Sequence, residues 1–166
     1  MALGLLSMSS CSINLFPGAI VDCTHPVFSG ITHLEMCDSA PTTNVLAALQ
    51  SMPGLTHVAF NASMVRFSMH LTMVVEFLSV RTSVRVVVLL SVNRLEPPAS
   101  VPKEVMREPR IVWMTCAHYI KDWHQGTLTG EDYWVRAESF VSKRKSGEIE
   151  DPLLCWIEGD ASEFLP

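Results

Sequence analysis

Two histidines hold the same place in a phrase that the chain contains twice: Gly30-Ile31-Thr32-His33-Leu34-Glu35-Met36 and Gly54-Leu55-Thr56-His57-Val58-Ala59-Phe60. Together with Glu35 or Cys37, the two imidazoles make a chemically acceptable zinc set. Their separation (57 − 33 = 24) is the step of a repeat, not of ligands on one helical turn. They can meet only if two strands lie side by side, about 4.8 Å apart. A repeated Thr-His dipeptide is then better read as a surface ladder made by duplication than as a metal centre. No metal ligand is assigned, and no cofactor is expected.

Other reactive side chains lead to less. Cys23-Thr24-His25 invites a thiol-nucleophile reading, but no third group orients the pair, and closeness in sequence does not predict a meeting in space. Asp122, Glu131 and Asp132 resemble paired carboxylates, yet two of them fall where a helix begins and acids stabilise its dipole. Lys143, Arg144 and Lys145 sit where that helix ends and serve its dipole and solubility. No glycine-rich loop follows a strand, since Pro53-Gly54 precedes one. The five cysteines form no C-x-x-C pair and read as buried thiols. No catalytic residue is assigned, and the chain is not expected to be an enzyme.

The elements that carry these residues follow from periodicity. Ile31 to Met36 alternates apolar and polar residues, as a half-buried strand does, and Leu55 to Phe60 repeats it. Between them, Val45, Leu46, Leu49 and Met52 make a helical stripe with Thr42 or Thr43 as N-cap and Pro53-Gly54 as terminator. A second helix runs from Ser68 or Met69 to Arg81 through Leu71, Val74, Val75 and Leu78. Val84 to Val92 is nearly continuous in β-branched residues, the mark of a strand covered on both faces. Val101 to Glu108 makes a short helix with Pro102 at its first position, and Arg110 to Thr115 a fourth strand.

Strands separated by single helices at near-constant period cannot pair as hairpins, so the sheet must be parallel. The doubled phrase favours a short solenoid with its helices on one face, each strand meeting the same surroundings. A doubly wound sheet is the alternative, with an enzyme site near Asp38, Asn61 and Asn93 at the strand ends. In the solenoid frame the third, fifth and seventh repeat positions face the concave side. Aligning the fourth strand on Ile111 gives a partner-binding row of His33, Glu35, His57, Asn61, Trp113 and Thr115.

Ile31-x-x-Leu34-x-Met36 and Leu55-x-x-Val58-x-Phe60 resemble the L-x-x-L-x-L core of leucine-rich repeats, and Val84-x-x-Val87-x-Leu89 and Ile111-x-x-Met114 fit it more loosely. The segments HPVFSGITHLEM, MPGLTHVAF, SVRVVVLL, EPRIVWM, DWHQG and GEDYWVRAESFVSKRKSGEIE resemble the C-terminal part of the F-box/leucine-rich-repeat-like proteins of mushroom-forming fungi. The resemblance spans about residues 15 to 150. It implies a non-catalytic interaction module that recognises substrates for a cullin-type ubiquitin ligase. The family's ninth-position asparagine is Ser39, Ser63 and Val92 here, which argues against an asparagine ladder, and no F-box is recognisable.

Thr129-Gly130-Glu131-Asp132 has the form of a capping box, and Gly147 stands where a helix C-cap belongs. Between them, Tyr133, Trp134, Ala137, Phe140 and Val141 form an apolar stripe, while Arg136, Glu138 and Ser142 can face water. This helix is expected to cap the end of the solenoid. The organisation is then an irregular lead-in (1–29), an α/β repeat region (30–128), a capping helix (129–150) and a tail (151–166).

Composition sets the outer limits. The 166 residues are 48 % hydrophobic, enough for one domain with a core. A net charge of -5 argues against a nucleic-acid surface, which is usually basic. Mean hydropathy is +0.26, but no apolar run approaches the roughly 20 residues of a membrane span. Met1 to Leu6 lacks the basic start and the length of a secretory leader. An intracellular location, cytoplasmic or nuclear, is expected. Should no partner exist, the remaining alternative is a truncated gene product without independent function.

Overall fold

A computed structural model describes residues 5–8, 23, 25–36, 40–62, 68–91, 97, 99–115, 122, 126 and 128–157. Among the described residues, six strands form one open parallel sheet in chain order: β1 (Leu5–Met8), β2 (His33–Met36), β3 (His57–Asn61), β4 (Val86–Ser91), β5 (Ile111–Thr115) and β6 (Trp156–Ile157). The α-helices whose bounds lie among the described residues are α1 (Thr43–Gln50), α2 (Ser68–Val80), α3 (Lys103–Arg107) and α4 (Tyr133–Ser146). The α/β class and the parallel sheet agree with the sequence reading. Strands β1 and β6 extend the sheet into segments read as irregular lead-in and tail.

Local chemistry accounts for the helix boundaries. The Thr42 hydroxyl accepts from Val45 N at the start of α1. Helix α4 begins one residue after Asp132, whose carboxylate accepts from Val135 N at 3.0 Å, and ends at Gly147 in the left-handed region with φ 81°. The N-cap is therefore Asp132 and not Thr129, whose hydroxyl accepts from Glu131 N in the preceding turn. Pro102, expected at the first helical position of α3, stands instead at its N-cap, one residue ahead of Lys103.

The second glycine of the doubled phrase has a steric cause. A Cβ on Gly54 would lie 2.7 Å from the Ser29 carbonyl oxygen and 3.2 Å from that of Ile31, whereas one on Gly30 would meet nothing within 4 Å. Backbone of one repeat thus presses on the next where Gly54 sits.

Apolar residues of the sheet divide between two layers. On one face, Leu34, Val58, Phe60, Val87, Leu89, Ile111 and Trp113 pack with Leu46 and Leu49 of α1, Leu71, Val74, Phe77 and Leu78 of α2, and Val105 of α3. On the other, Ala59, Val86, Val88, Leu90, Val112 and Met114 pack under Tyr133, Trp134, Ala137 and Val141 of α4. Helices therefore lie on both faces. The expectation of helices on one face does not hold, and α4 covers a face of the sheet, resting on β4 and β5, instead of closing its end. The reason is β4 itself, whose six residues are all buried, so the strand needs a cover on each side.

Arg144 anchors the far end of α4. Its guanidinium donates to the carbonyls of Glu108 at 2.9 Å, Ile111 at 3.1 Å, Pro152 at 3.1 Å, and Met106. The side chain read as one third of a basic surface run is instead half-buried and joins α3, β5 and the turn before β6.

Candidate functional site

Parallel pairing of β2 with β3 sets His33 directly beside His57, and Glu35 beside Ala59. The imidazoles stack with centroids 4.0 Å apart and planes 4° from parallel. Each takes its orientation from the threonine before it: Thr32 Oγ1 lies 2.8 Å from His33 Nδ1, and Thr56 Oγ1 lies 2.8 Å from His57 Nδ1. Across the stack stands Trp134 of α4, nearly perpendicular to both rings at 5.3 and 5.7 Å. Two helix side chains complete the junction. Glu138 Oε1 accepts from His57 Nε2 at 2.9 Å, and the Tyr133 hydroxyl donates to buried Glu35 at 2.9 Å.

Burial pushes the His33 pKa down to about 4, with the neighbouring His57 ring adding to the effect and Glu138 and Asp132 opposing it. Burial likewise lowers His57, against the pull of Glu138. Both rings are therefore neutral at pH 7. Since His57 Nε2 faces a carboxylate, its proton sits there, and Nδ1 accepts from the Thr56 hydroxyl. That hydroxyl also lies 3.1 Å from the Thr32 carbonyl, so its single hydrogen is shared between two acceptors.

Thr56, His57 and Glu138 form a hydroxyl–imidazole–carboxylate string, the connectivity of an activated nucleophile. Its surroundings favour architecture over catalysis. The hydroxyl is tied to the neighbouring strand, and the same Thr-His contact recurs at Thr32 and His33. A zinc site fits no better. A lone pair lies in the plane of its ring, so an ion shared between two parallel stacked rings would sit outside both planes. Among the described residues, no three His, Cys, Asp or Glu side chains gather as a metal site. Cys37 lies outside them.

The expected binding row divides. His33, Glu35, His57 and Asn61 share a face, but α4 lies over it: His57 and Glu35 are buried, and His33 and Asn61 are half-buried. Trp113 and Thr115 belong to the opposite face, Trp113 inside the layer under α1 to α3. The pairing shows why. Val87 pairs with Ile111, so the residue of β4 level with Ile31 and Leu55 has its counterpart three positions before Ile111. Taking Ile111 as that counterpart shifts the strand by an odd number of residues, which exchanges its faces.

The remaining reactive groups have structural work. Asp122 accepts from Tyr133 N at 2.7 Å and Arg136 Nη2 at 2.6 Å, tying down the first turn of α4. Burial pushes the Cys155 thiol up to about 11, far from a reactive thiolate, and Cys23 is buried. Asp38 and Asn93, of the alternative enzyme site, and Ser39, Ser63 and Val92, at the asparagine positions, lie outside the described residues.

Sequence reasoning placed Glu138 toward water, and its side chain is exposed, but it missed the bond that Glu138 accepts from His57 and the roles of Tyr133 and Trp134. One signal was present: Trp134 and Glu138 are four apart, hence on one helical face, with Tyr133, Ala137 and Val141 beside it. Their target could not be read from the helix.

Fold and junction together define an α/β protein with a parallel sheet in sequential order and helices on both faces. No protein-family model, no curated protein and no solved structure matches the chain. Among the described residues, no helix is long and apolar enough to cross a membrane.

Proposed function

We propose that the chain is a non-catalytic protein-interaction module, built as a short leucine-rich-repeat-like stack to which α4 has been added. The strand order supports this most directly. Each strand pairs in parallel with the next in sequence, the way a stack of repeats grows. Among the described strands that order never reverses, and a switch point is where open α/β enzymes hold their substrates. Its most reactive-looking side chains are engaged between sheet and α4, which agrees with a binding role.

By its resemblance to the F-box/leucine-rich-repeat-like proteins, the module would present a substrate protein to a cullin-type ubiquitin ligase. Affinity capture of the tagged chain from its native cells tests this. Recovery of one defined protein together with ubiquitin-ligase adaptors is the expected result. A defined small-molecule ligand without any protein partner would overturn the proposal.

A further inference from the structure

A groove of about 610 Å³ runs beside α4, between that helix and the entry to β4. Val86 and Val141 are its buried apolar floor, and Val135 remains 45 % exposed at its mouth. Ser139 and Ser142 give it room on the helix side, and Arg85 and Lys145 bring two positive charges. From Val135 to Lys145 the helix advances about 15 Å, at 1.5 Å per residue. An extended chain of four or five residues covers that length.

Arg85 differs from four other arginines of the fold. Arg81, Arg110, Arg136 and Arg144 each direct the guanidinium to a carboxylate or a carbonyl. Arg85 and Lys145 make no side-chain hydrogen bond or ion pair among the described residues, in a chain whose net charge is -5. The one acid in the lining, Glu138, is turned to His57. Two exposed cations, two hydroxyls and an apolar floor complement an extended strip that carries carboxylates beside aliphatic side chains.

We infer that this groove binds a short acidic–aliphatic peptide segment of a partner protein, its carboxylates on Arg85 and Lys145 and an aliphatic side chain over Val86 and Val141. This inference rests on the interaction-module reading and gives that module a contact surface other than the covered row at His33 and His57.

Selecting an unbiased peptide-display library on the full chain provides the test. Enriched peptides should carry Asp or Glu near an aliphatic residue. Their binding should weaken at least tenfold in Arg85→Glu and in Lys145→Glu, weaken with added salt, and survive Lys103→Glu on α3. Both groove side chains are exposed, so the variants should keep the wild-type circular dichroism spectrum and urea midpoint. Peptides without acids, peptides indifferent to both substitutions, or no enrichment at all would each overturn the inference. A captured protein partner whose binding ignores Arg85 and Lys145 would also remove this site, yet leave the interaction module standing.

Discussion

His33 and His57 lie face to face at 4.0 Å, and Trp134 from α4 stands across both rings. The junction couples the doubled phrase to a helix far along the chain, and it makes that coupling depend on protonation. Above pH 6.5 the rings are neutral whether the chain is folded or not. As pH falls from 6.5 toward 4, the unfolded chain takes up a proton that half-buried His33 refuses, so stability falls across this window and levels off below it. The lowered pKa of His57 acts in the same direction. Urea midpoints measured from pH 7 to 4 should decline, and the His33 ring proton should titrate near 4 by NMR. A titration near 6.5 would show that α4 leaves the ring open to water.

Tyr133→Phe removes the hydroxyl that donates to buried Glu35. A hydrogen bond inside a protein contributes about 0.5–1.5 kcal/mol, and a loss of that size is expected in the stability from denaturant titration. Glu35→Gln should couple to it, the double variant losing less than the two single losses combined. Strict additivity would mean that the two side chains do not meet.

The two glycines of the repeated phrase should respond differently. Gly54→Ala forces a methyl group into backbone of the preceding repeat and should destabilise by about 1–3 kcal/mol, in the range of other overpacked sites. Gly30→Ala, with open space around it, should leave the thermal midpoint nearly unchanged. Equal effects from both would contradict the close approach at Gly54.

At the start of α4, Asp132→Ala should cost about 1 kcal/mol through the loss of its cap to Val135 N. Thr129→Ala should cost less, because its hydroxyl serves a turn and not the helix. Comparing the two by chemical denaturation separates the observed cap from the capping box that the sequence suggests. A larger loss at Thr129 would restore the box.

Much of the fold was legible because it depends on local rules. The alternation in β2 and β3, the stripe of α1 ended by Pro53-Gly54, and the left-handed cap at Gly147 each follow from neighbours a few residues away. The repeat step even brought His33 beside His57. Register between distant strands was harder: unequal connections precede β4 and β5, and an odd offset moved Trp113 and Thr115 to the wrong face. Strand β6 escaped notice because two residues carry no periodicity.

By itself, then, the sequence determined that parallel strands would alternate with helices and that two Thr-His pairs would form a rung. It also carried, in the unbroken apolar run of β4, the requirement that both faces of the sheet be covered. Only the tertiary structure decided what covers the second face. An amphipathic helix shows which of its sides is apolar but not where that side will rest, because the choice depends on area and shape contributed by β3, β4 and β5 together. Placing α4 there turned a row that looked open into a buried junction of Glu35, His57 and Trp134, and left Arg85 and Lys145 beside the groove it created.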